Sequence, residues 1–324
     1  MSTSSPAATV AAAAQELRAP SARAGVISID VGGTDMKTAL LDADGRLVDI
    51  ERAATPHGHG SAEAIVEWLA TAVEQARQRH PGLTIGAAGI GVPGLVDEVL
   101  GIGRFASNLS WTDFPFRDAA EARTGLPIAF GHDVRAASLA ERELGAARGF
   151  SNAAVVIIGT GIACTLIVDD HVLLSDGFAG ELGHTIIDPH GAPCACGGRG
   201  HLEGTASSSA IARRYTLATG HPVPGSREVL ERATAGDAVA AAVWTDAIDA
   251  LAIGLSQIVT LTAPEAIVIG GGLAQAGDAL FTPLATALES RLSFHRHPRL
   301  LAARLGENAG LLGAALAARR LMTP

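Results

Sequence analysis

The chain is poor in cysteine and in aromatic side chains, and it has no excess of positive charge. Its 324 residues include three cysteines, and Phe, Trp and Tyr together make up 4%. Three thiols are too few for a disulfide framework and suit a reducing compartment, so we expect a cytoplasmic protein. A net charge of -9 argues against nucleic acid and anionic membranes as partners. Because we find no run of about 18 strongly apolar residues, we also expect no membrane span.

Glycine and aliphatic residues dominate instead. The 38 glycines and a hydrophobic content of 48% are typical of a globular enzyme with two moderate lobes. Residues 1–24 are rich in Ala, Ser and Pro. Since no basic segment precedes their apolar part, we interpret them as a disordered tail and not as a signal peptide.

One pattern of strands around a glycine turn occurs twice. Strand Val26–Val31 runs into Gly32-Gly33-Thr34, and strand Ala153–Ile158 runs into Gly159-Thr160-Gly161; another strand follows each turn. A P-loop or a dinucleotide-binding turn would instead open a helix directly, so both are excluded. The sequence therefore predicts a duplicated β-meander.

Helices and strands alternate after each meander, which predicts two α/β lobes that face each other across a cleft. Amphipathic and apolar periodicity places helices at Ser61–His80, after Asp133, at Ser207–Thr219, at Val239–Thr262 and from Asn308. We place the N-terminal lobe at 25–131 with 308–324, and the C-terminal lobe at 132–307.

A glycine-rich segment brings two of the cysteines close to histidines. His184, Cys194, Cys196 and His201 offer two imidazoles and two thiolates, which is the ligand set of a closed tetrahedral zinc site. A plain surface loop is the alternative. Because four protein ligands leave no position for water, we predict a structural Zn²⁺ and not a catalytic one.

Taken together, these motifs resemble the ROK sugar kinases of the actin/hexokinase superfamily, in particular bacterial glucokinases. The resemblance runs from Val26 to the last helix. It is carried by the segments Asp30–Thr34, Gly91–Asp97, Ser107–Trp111, Asp133, Gly159–Gly161, Gly180–His184, the Cys-x-Cys loop, Leu202-Glu203 and Gly270–Gly272. It implies a two-lobed actin-like (ribonuclease H-like) fold and transfer of the γ-phosphoryl group of ATP to the 6-hydroxyl of a hexose.

The resemblance makes Asp133 the catalytic base. From the sequence alone, Asp133 would instead be the N-cap of a helix over Val134–Gly149, because Asp is a preferred N-cap residue. A helix N-terminus also favours the ionised carboxylate that a base requires.

The nucleotide would be held by two glycine turns, a third glycine run and Mg²⁺. We expect Gly32, Gly33 and Thr34 to bind phosphates from one lobe, and Gly159, Thr160 and Gly161 from the other. The resemblance assigns the adenosine to Gly270, Gly271 and Gly272, and the magnesium shell to Asp30. Ordinary turns, and a strand-end carboxylate at Asp30, are the alternatives.

For the sugar, the resemblance assigns Gly94, Asn108, Glu181, His184 and Glu203, with His132 and Asp133 beside them. His184 would then use one ring nitrogen for zinc and the other for the sugar. Glu181 and Glu203 could instead be solvated charges.

Three positions depart from the family pattern. His201 replaces a cysteine, and His132 and Arg135 replace asparagines on either side of the base; the second phosphate loop also continues as Ile162-Ala163-Cys164. Because the residue before the base normally contacts the sugar, an amino-sugar kinase acting on 3-amino-3-deoxyglucose (kanosamine) or an N-acetylhexosamine is the main alternative to a glucokinase. A non-catalytic sugar sensor is a further one, and the family resemblance favours a homodimer or homotetramer.

Overall fold

The structure is a computed structural model that describes residues 24–106, 109–194 and 196–322. These residues form two compact units. Unit 1 contains the chain up to Gly145, the segment Leu174–Phe178 and the chain from Leu305; unit 2 contains Ala146–Leu173 and Ala179–Arg304. The predicted tail lies, up to residue 23, outside the described residues.

Unit 1 is built on a five-stranded sheet with the order β3-β2-β1-β4-β8. Its strands are β1 (Gly25–Val31), β2 (Asp35–Leu41), β3 (Leu47–Ala54), β4 (Ile85–Val92) and β8 (Ile128–His132). The first three form an antiparallel meander, and β4 and β8 join it in parallel. A second, three-stranded sheet consists of β5 (Leu95–Asp97), β6 (Ile102–Ala106) and β7 (Trp111–Phe114).

Helices cover both faces of the larger sheet. The helices of unit 1 are α1 (Ser61–Arg79), α2 (Phe116–Thr124), α3 (Asp133–Glu143) and α9 (Ala309–Arg320). Ile27 and Ile29 of β1 pack in the cluster that contains the apolar side of α1, whereas Val26 packs with α9. Both faces of β1 are therefore covered, although polar Ser28 and Asp30 alternate along it with Ile27, Ile29 and Val31.

Unit 2 repeats the architecture. Its sheet has the order β11-β10-β9-β12-β13. The strands are β9 (Ala153–Ile158), β10 (Ile162–Val168), β11 (His171–Val172), β12 (Ala266–Gly270) and β13 (Arg299–Ala302). Again three antiparallel strands precede two parallel ones, so the predicted duplication of the meander is confirmed.

One helix of unit 2 forms the centre of its core. The helices are α4 (Glu203–Ala206), α5 (Ser208–Thr219), α6 (Ser226–Thr234), α7 (Ala238–Thr262) and α8 (Asp278–Glu289). Within the described residues, α7 is the one helix long and apolar enough to cross a membrane, with a mean hydropathy of 1.6, although the sequence led us to expect none. Its side chains Leu251, Leu255 and Val259 are buried in the main core cluster.

The boundary between the units differs from the predicted one. It follows Gly145 and not residue 131, because α3 packs closely on α9. A Cβ at Gly313 of α9 would lie 1.7 Å from the carbonyl oxygen of Ala136. Helix α3 also ends at Glu143, before the predicted Gly149.

Candidate active site

The predicted base, Asp133, is the first residue of α3 and directly follows β8. Its Oδ1 accepts a hydrogen bond from the backbone N–H of Val134 at 2.6 Å. The N-cap is not Asp133 but His132, whose Nδ1 accepts from the same N–H at 3.1 Å. The Nδ1 atom of His132 is 3.0 Å from Asp133 Oδ1. Since His132 caps the helix, the carboxylate of Asp133 is not required for that role.

A second carboxylate, Asp30, is the penultimate residue of β1 in the same unit. Burial raises its pKa to about 7, the charge of Asp133 adds to this, and Lys37 opposes it. A Cβ on Gly310 would lie 2.5 Å from Asp30 Oδ1, so the first turn of α9 leaves room for this carboxylate only because residue 310 is glycine. A cation beside Asp30 would favour its charged form over the protonated one, and carboxylate oxygens suit Mg²⁺. These residues therefore fit the magnesium predicted for Asp30.

The first glycine turn joins β1 to β2 and begins at Gly32, two residues after Asp30. The N–H of Gly32 donates to the carbonyl oxygen of Asp35 at 2.9 Å. Thr55 supports the turn with two hydrogen bonds. Its hydroxyl donates to the Gly32 carbonyl at 2.8 Å, and its backbone N–H donates to the Thr34 carbonyl at 2.8 Å. Gly33 and Thr34 are exposed, so their backbone is accessible to a phosphate.

Arg135, which stands two residues after Asp133 where the family pattern has asparagine, forms an ion pair with Glu98. The guanidinium Nε donates to Glu98 Oε1, and the backbone N–H of His132 donates to the same oxygen at 3.1 Å. The Arg135 side chain is only 9% exposed. The Glu98 carboxylate therefore contacts both His132 and Arg135, the two residues that replace asparagines near Asp133.

Two further residues predicted to bind the sugar belong to this part of the chain, and one of them, Gly94, lies in the turn between β4 and β5. Its φ is +96°, and a Cβ there would lie 2.4 Å from the carbonyl oxygen of Phe105. This position therefore requires glycine for packing, whether or not a sugar binds. Asn108 lies outside the described residues.

In unit 2, the second glycine turn joins β9 to β10. The N–H of Gly159 donates to the Gly161 carbonyl at 2.9 Å, which closes the turn. Gly271 packs against the end of β9: its φ is +84°, and a Cβ would lie 2.4 Å from the Ile158 carbonyl oxygen. The structure thus brings Gly159, Thr160 and Gly161 together with the run Gly270, Gly271 and Gly272.

Glu203 is placed beside this turn. Its Oε2 accepts a hydrogen bond from the N–H of Ile162 at 2.8 Å. Glu181 lies at the start of a short 3-10 turn, Leu182–His184, and its Oε2 is 3.8 Å from His184 Nε2. Glu181 and His184 are therefore neighbours, as the sequence predicts.

The four predicted metal ligands converge. Ligand atoms of His184, Cys194, Cys196 and His201 all lie within 4.8 Å of one another, and Cys196 Sγ is 3.2 Å from His201 Nδ1. The Nδ1 of His184 is buried and forms no hydrogen bond with any residue that the structure describes. A buried nitrogen without a hydrogen-bond partner, in a cluster of two imidazoles and two thiols, fits a zinc ion, which prefers four ligands of these types.

Tight turns hold this loop. The N–H of Cys194 donates to the Gly198 carbonyl at 2.8 Å, and the N–H of Gly197 donates to the Cys194 carbonyl at 3.0 Å. Partial burial raises the pKa of the Cys194 thiol, so a bound cation would stabilise its thiolate. The third cysteine, Cys164, is buried with a pKa raised to about 12, and it is not part of the cluster.

Sequence reasoning missed two residues around Asp30. Lys37 stands opposite Asp30 in the β1–β2 register, and its Nζ is 3.1 Å from Glu307 Oε2. Gly310 accommodates the carboxylate itself. The spacing Gly310-x-x-Gly313 in an apolar helix was an available signal, because small residues on one side of a helix permit close approach of a neighbour.

The sequence matches the ROK family over residues 26–320. A glucokinase of Thermotoga maritima is 32% identical over 307 residues, which cover 90% of this chain and 96% of that protein. The ROK hexokinase of Thermus thermophilus has a TM-score of 0.79 at 36% identity, covering 92% of this chain and 99% of that one. A ROK glucokinase of Streptomyces griseus, solved with glucose and AMPPNP, has a TM-score of 0.78 at 31% identity, covering 91% and 99%.

Proposed function

Because the chain belongs to the ROK family, whose actin-like α/β fold it shares, we propose that it is an ATP-dependent hexose kinase of the glucokinase type. The observation that carries this proposal is the placement of Asp133 in the same unit as Asp30 and the Gly32–Thr34 turn. A base, a cation-binding carboxylate and a phosphate-binding turn are the parts that phosphoryl transfer requires.

Asp133 is the base of the reaction. The 6-hydroxyl oxygen of the hexose attacks the γ-phosphorus, its proton passes to the Asp133 carboxylate, and the bond from the γ-phosphorus to the bridging oxygen of ADP breaks. The Val134 N–H and the N-terminus of α3 favour negative charge at this position. His132, by capping α3, leaves the Asp133 carboxylate available to the sugar.

The nucleotide is bound by backbone groups and a cation. Gly32, Gly33 and Thr34 bind phosphate oxygens in unit 1, Gly159, Thr160 and Gly161 do so in unit 2, and Gly270, Gly271 and Gly272 receive the adenosine. Magnesium, oriented by Asp30, neutralises charge on the transferred group when bound. The glycines permit the close backbone approach that these contacts need.

The residues proposed to bind the sugar are Gly94, Asn108, His132, Asp133, Glu181, His184 and Glu203. His184 directs Nε2 towards Glu181 and keeps Nδ1 for the metal. One imidazole thus joins the sugar site to the loop of Cys194, Cys196 and His201, and the bound ion fixes its tautomer.

The metal is a structural zinc ion, one per chain. Zinc stabilises the loop that precedes Glu203, so its removal should weaken sugar binding as well as stability. Metal analysis of protein purified without chelator tests this, with His201→Ala as the ligand variant. Protein without stoichiometric zinc, or a His201→Ala variant that binds zinc as tightly as wild type, would contradict the assignment.

The substrate itself is tested by a panel of sugars. ADP release, coupled to a reporter enzyme, is measured with ATP and Mg²⁺ for glucose, mannose, N-acetylhexosamines and 3-amino-3-deoxyglucose. We expect glucose or a close relative to give the highest kcat/KM. A maximum on an aminohexose would favour the amino-sugar alternative, for which His132 in place of asparagine is the specific observation. Sugar binding without turnover of ATP would indicate a sensor.

The enzyme forms a homodimer or homotetramer in the cytoplasm, where ATP is its donor. This proposal rests on the family resemblance; Leu261 (82% exposed) and Phe294 (91% exposed) are apolar side chains of unit 2 that an interface would cover. Light scattering measures the oligomeric state.

A further inference from the structure

The segment that begins with Glu203 holds the second phosphate turn at three points. The first point is the hydrogen bond from the Ile162 N–H to Glu203 Oε2. At the second, the N–H of Ser208 donates to the Gly159 carbonyl at 2.9 Å. The hydroxyl of Ser209 donates to the Thr160 carbonyl at 2.6 Å. The conformation of the turn therefore depends on residues 203–209.

The Glu203 carboxylate also fits its position closely. A Cβ on Gly161 would lie 2.5 Å from Glu203 Oε2, and a Cβ on Gly183 would lie 3.3 Å from the same atom. The bond to Ile162 leaves Oε1 without a hydrogen bond in the part of the chain that the structure describes. One oxygen is thus committed to the turn and the other is free for a ligand.

We propose that Glu203 is a positioning residue for the nucleotide as well as a sugar ligand: Oε2 orders the Gly159–Gly161 turn while Oε1 binds a sugar hydroxyl. A sugar that fixes the carboxylate then also fixes the turn that binds the donor phosphates. Sugar and nucleotide binding become mutually favourable through one side chain. The sugar half of this proposal rests on the proposed function.

The test measures the affinity for Mg·ADP by calorimetry, first without sugar. Losing one hydrogen bond of this kind weakens binding by about three- to tenfold, and we expect that loss in Glu203→Ala. In Glu203→Gln the amide oxygen still accepts from Ile162, so ADP affinity should stay within about twofold of wild type while sugar affinity falls. Ser209→Ala should weaken ADP binding and leave sugar binding unchanged.

Glu181→Ala is the matched control, because Glu181 belongs to the proposed sugar site but does not bond to the turn; it should weaken sugar binding alone. ADP affinity in a folded Glu203→Ala that equals wild type would overturn the proposal. If that variant does not fold, hydrogen exchange of wild-type residues 159–164 decides: a bound sugar must slow it, and unchanged exchange overturns the proposal. Failure of the proposed function looks different, because wild type would then bind ADP but no hexose.

Discussion

The two glycine turns occupy the same place in two sheets of the same strand order, yet only the first follows a strand that carries a carboxylate. Asp30 precedes the turn after β1, whereas Ile157, among apolar neighbours, stands at the matching position before the turn after β9. The first turn is buttressed by Thr55, and the second by Glu203, Ser208 and Ser209. Under the proposed function both turns bind phosphate, and the carboxylate proposed to orient the cation is present in one copy.

The largest effect on turnover should come from Asp133, the proposed base, which lies in the same unit as Asp30. Asp133→Asn should lower kcat by about 10²–10⁴, because an amide cannot accept the 6-hydroxyl proton. Steady-state kinetics and sugar titration measure this, and sugar affinity should be nearly unchanged. Asp44→Asn, with a side chain that is 62% exposed, is the control. Retention of more than about a tenth of wild-type turnover would remove Asp133 from the mechanism.

Paired glycine substitutions distinguish the two turns. Gly310→Ala places a methyl group against Asp30 and should lower kcat by about tenfold or more, although alanine favours a helix by about 1 kcal/mol over glycine. Gly271→Ala strains a left-handed residue against Ile158 and should mainly raise KM for ATP, by roughly tenfold.

The control for this pair is Gly82→Ala, since a Cβ at Gly82 would meet nothing within 4 Å. Equal effects of Gly310→Ala and Gly271→Ala on kcat and on KM would mean that the two turns do not differ in function.

A smaller effect concerns the choice of sugar. Asparagine is a preferred N-cap, so His132→Asn should keep the start of α3 and change only the contact offered to the sugar. A hydrogen bond gained or lost to a buried partner is worth about 1–3 kcal/mol, so the glucose to 3-amino-3-deoxyglucose ratio of kcat/KM should move by roughly tenfold. An unchanged ratio across the panel would leave His132 with the capping role alone.

The smallest effect is on stability. Because the pKa of Asp30 is raised from 3.8 to about 7, its ionisation opposes folding: the favourable contribution is complete below about pH 4 and is lost as pH rises through about 7. Without nucleotide, Asp30→Asn should therefore melt a few degrees higher than wild type at about pH 8 and show little difference at about pH 4. Thermal scans at both values measure this. A variant that is less stable than wild type at about pH 8 would show that Asp30 is not destabilising when charged.

Much of the architecture was predictable, because apolar periodicity and glycine turns are local signals. The strand predicted at Ala153–Ile158 has these bounds in the structure, and α7 starts one residue before its predicted Val239. Helix α8 was missed because Pro283 lies inside it. The capping of α3 by His132 and the need for glycine at 310 depend on side-chain orientation and on contacts distant in sequence, which periodicity does not contain.

The measurement that tests the account most directly is the identity of the product. Wild type is incubated with glucose, ATP and Mg²⁺, and the products are assigned by ³¹P and ¹³C NMR, with Asp133→Asn in parallel. We predict one phosphate on the 6-oxygen for each ADP formed, and almost none with the variant. Release of free inorganic phosphate, phosphorylation of another oxygen, or equal product from Asp133→Asn would contradict it.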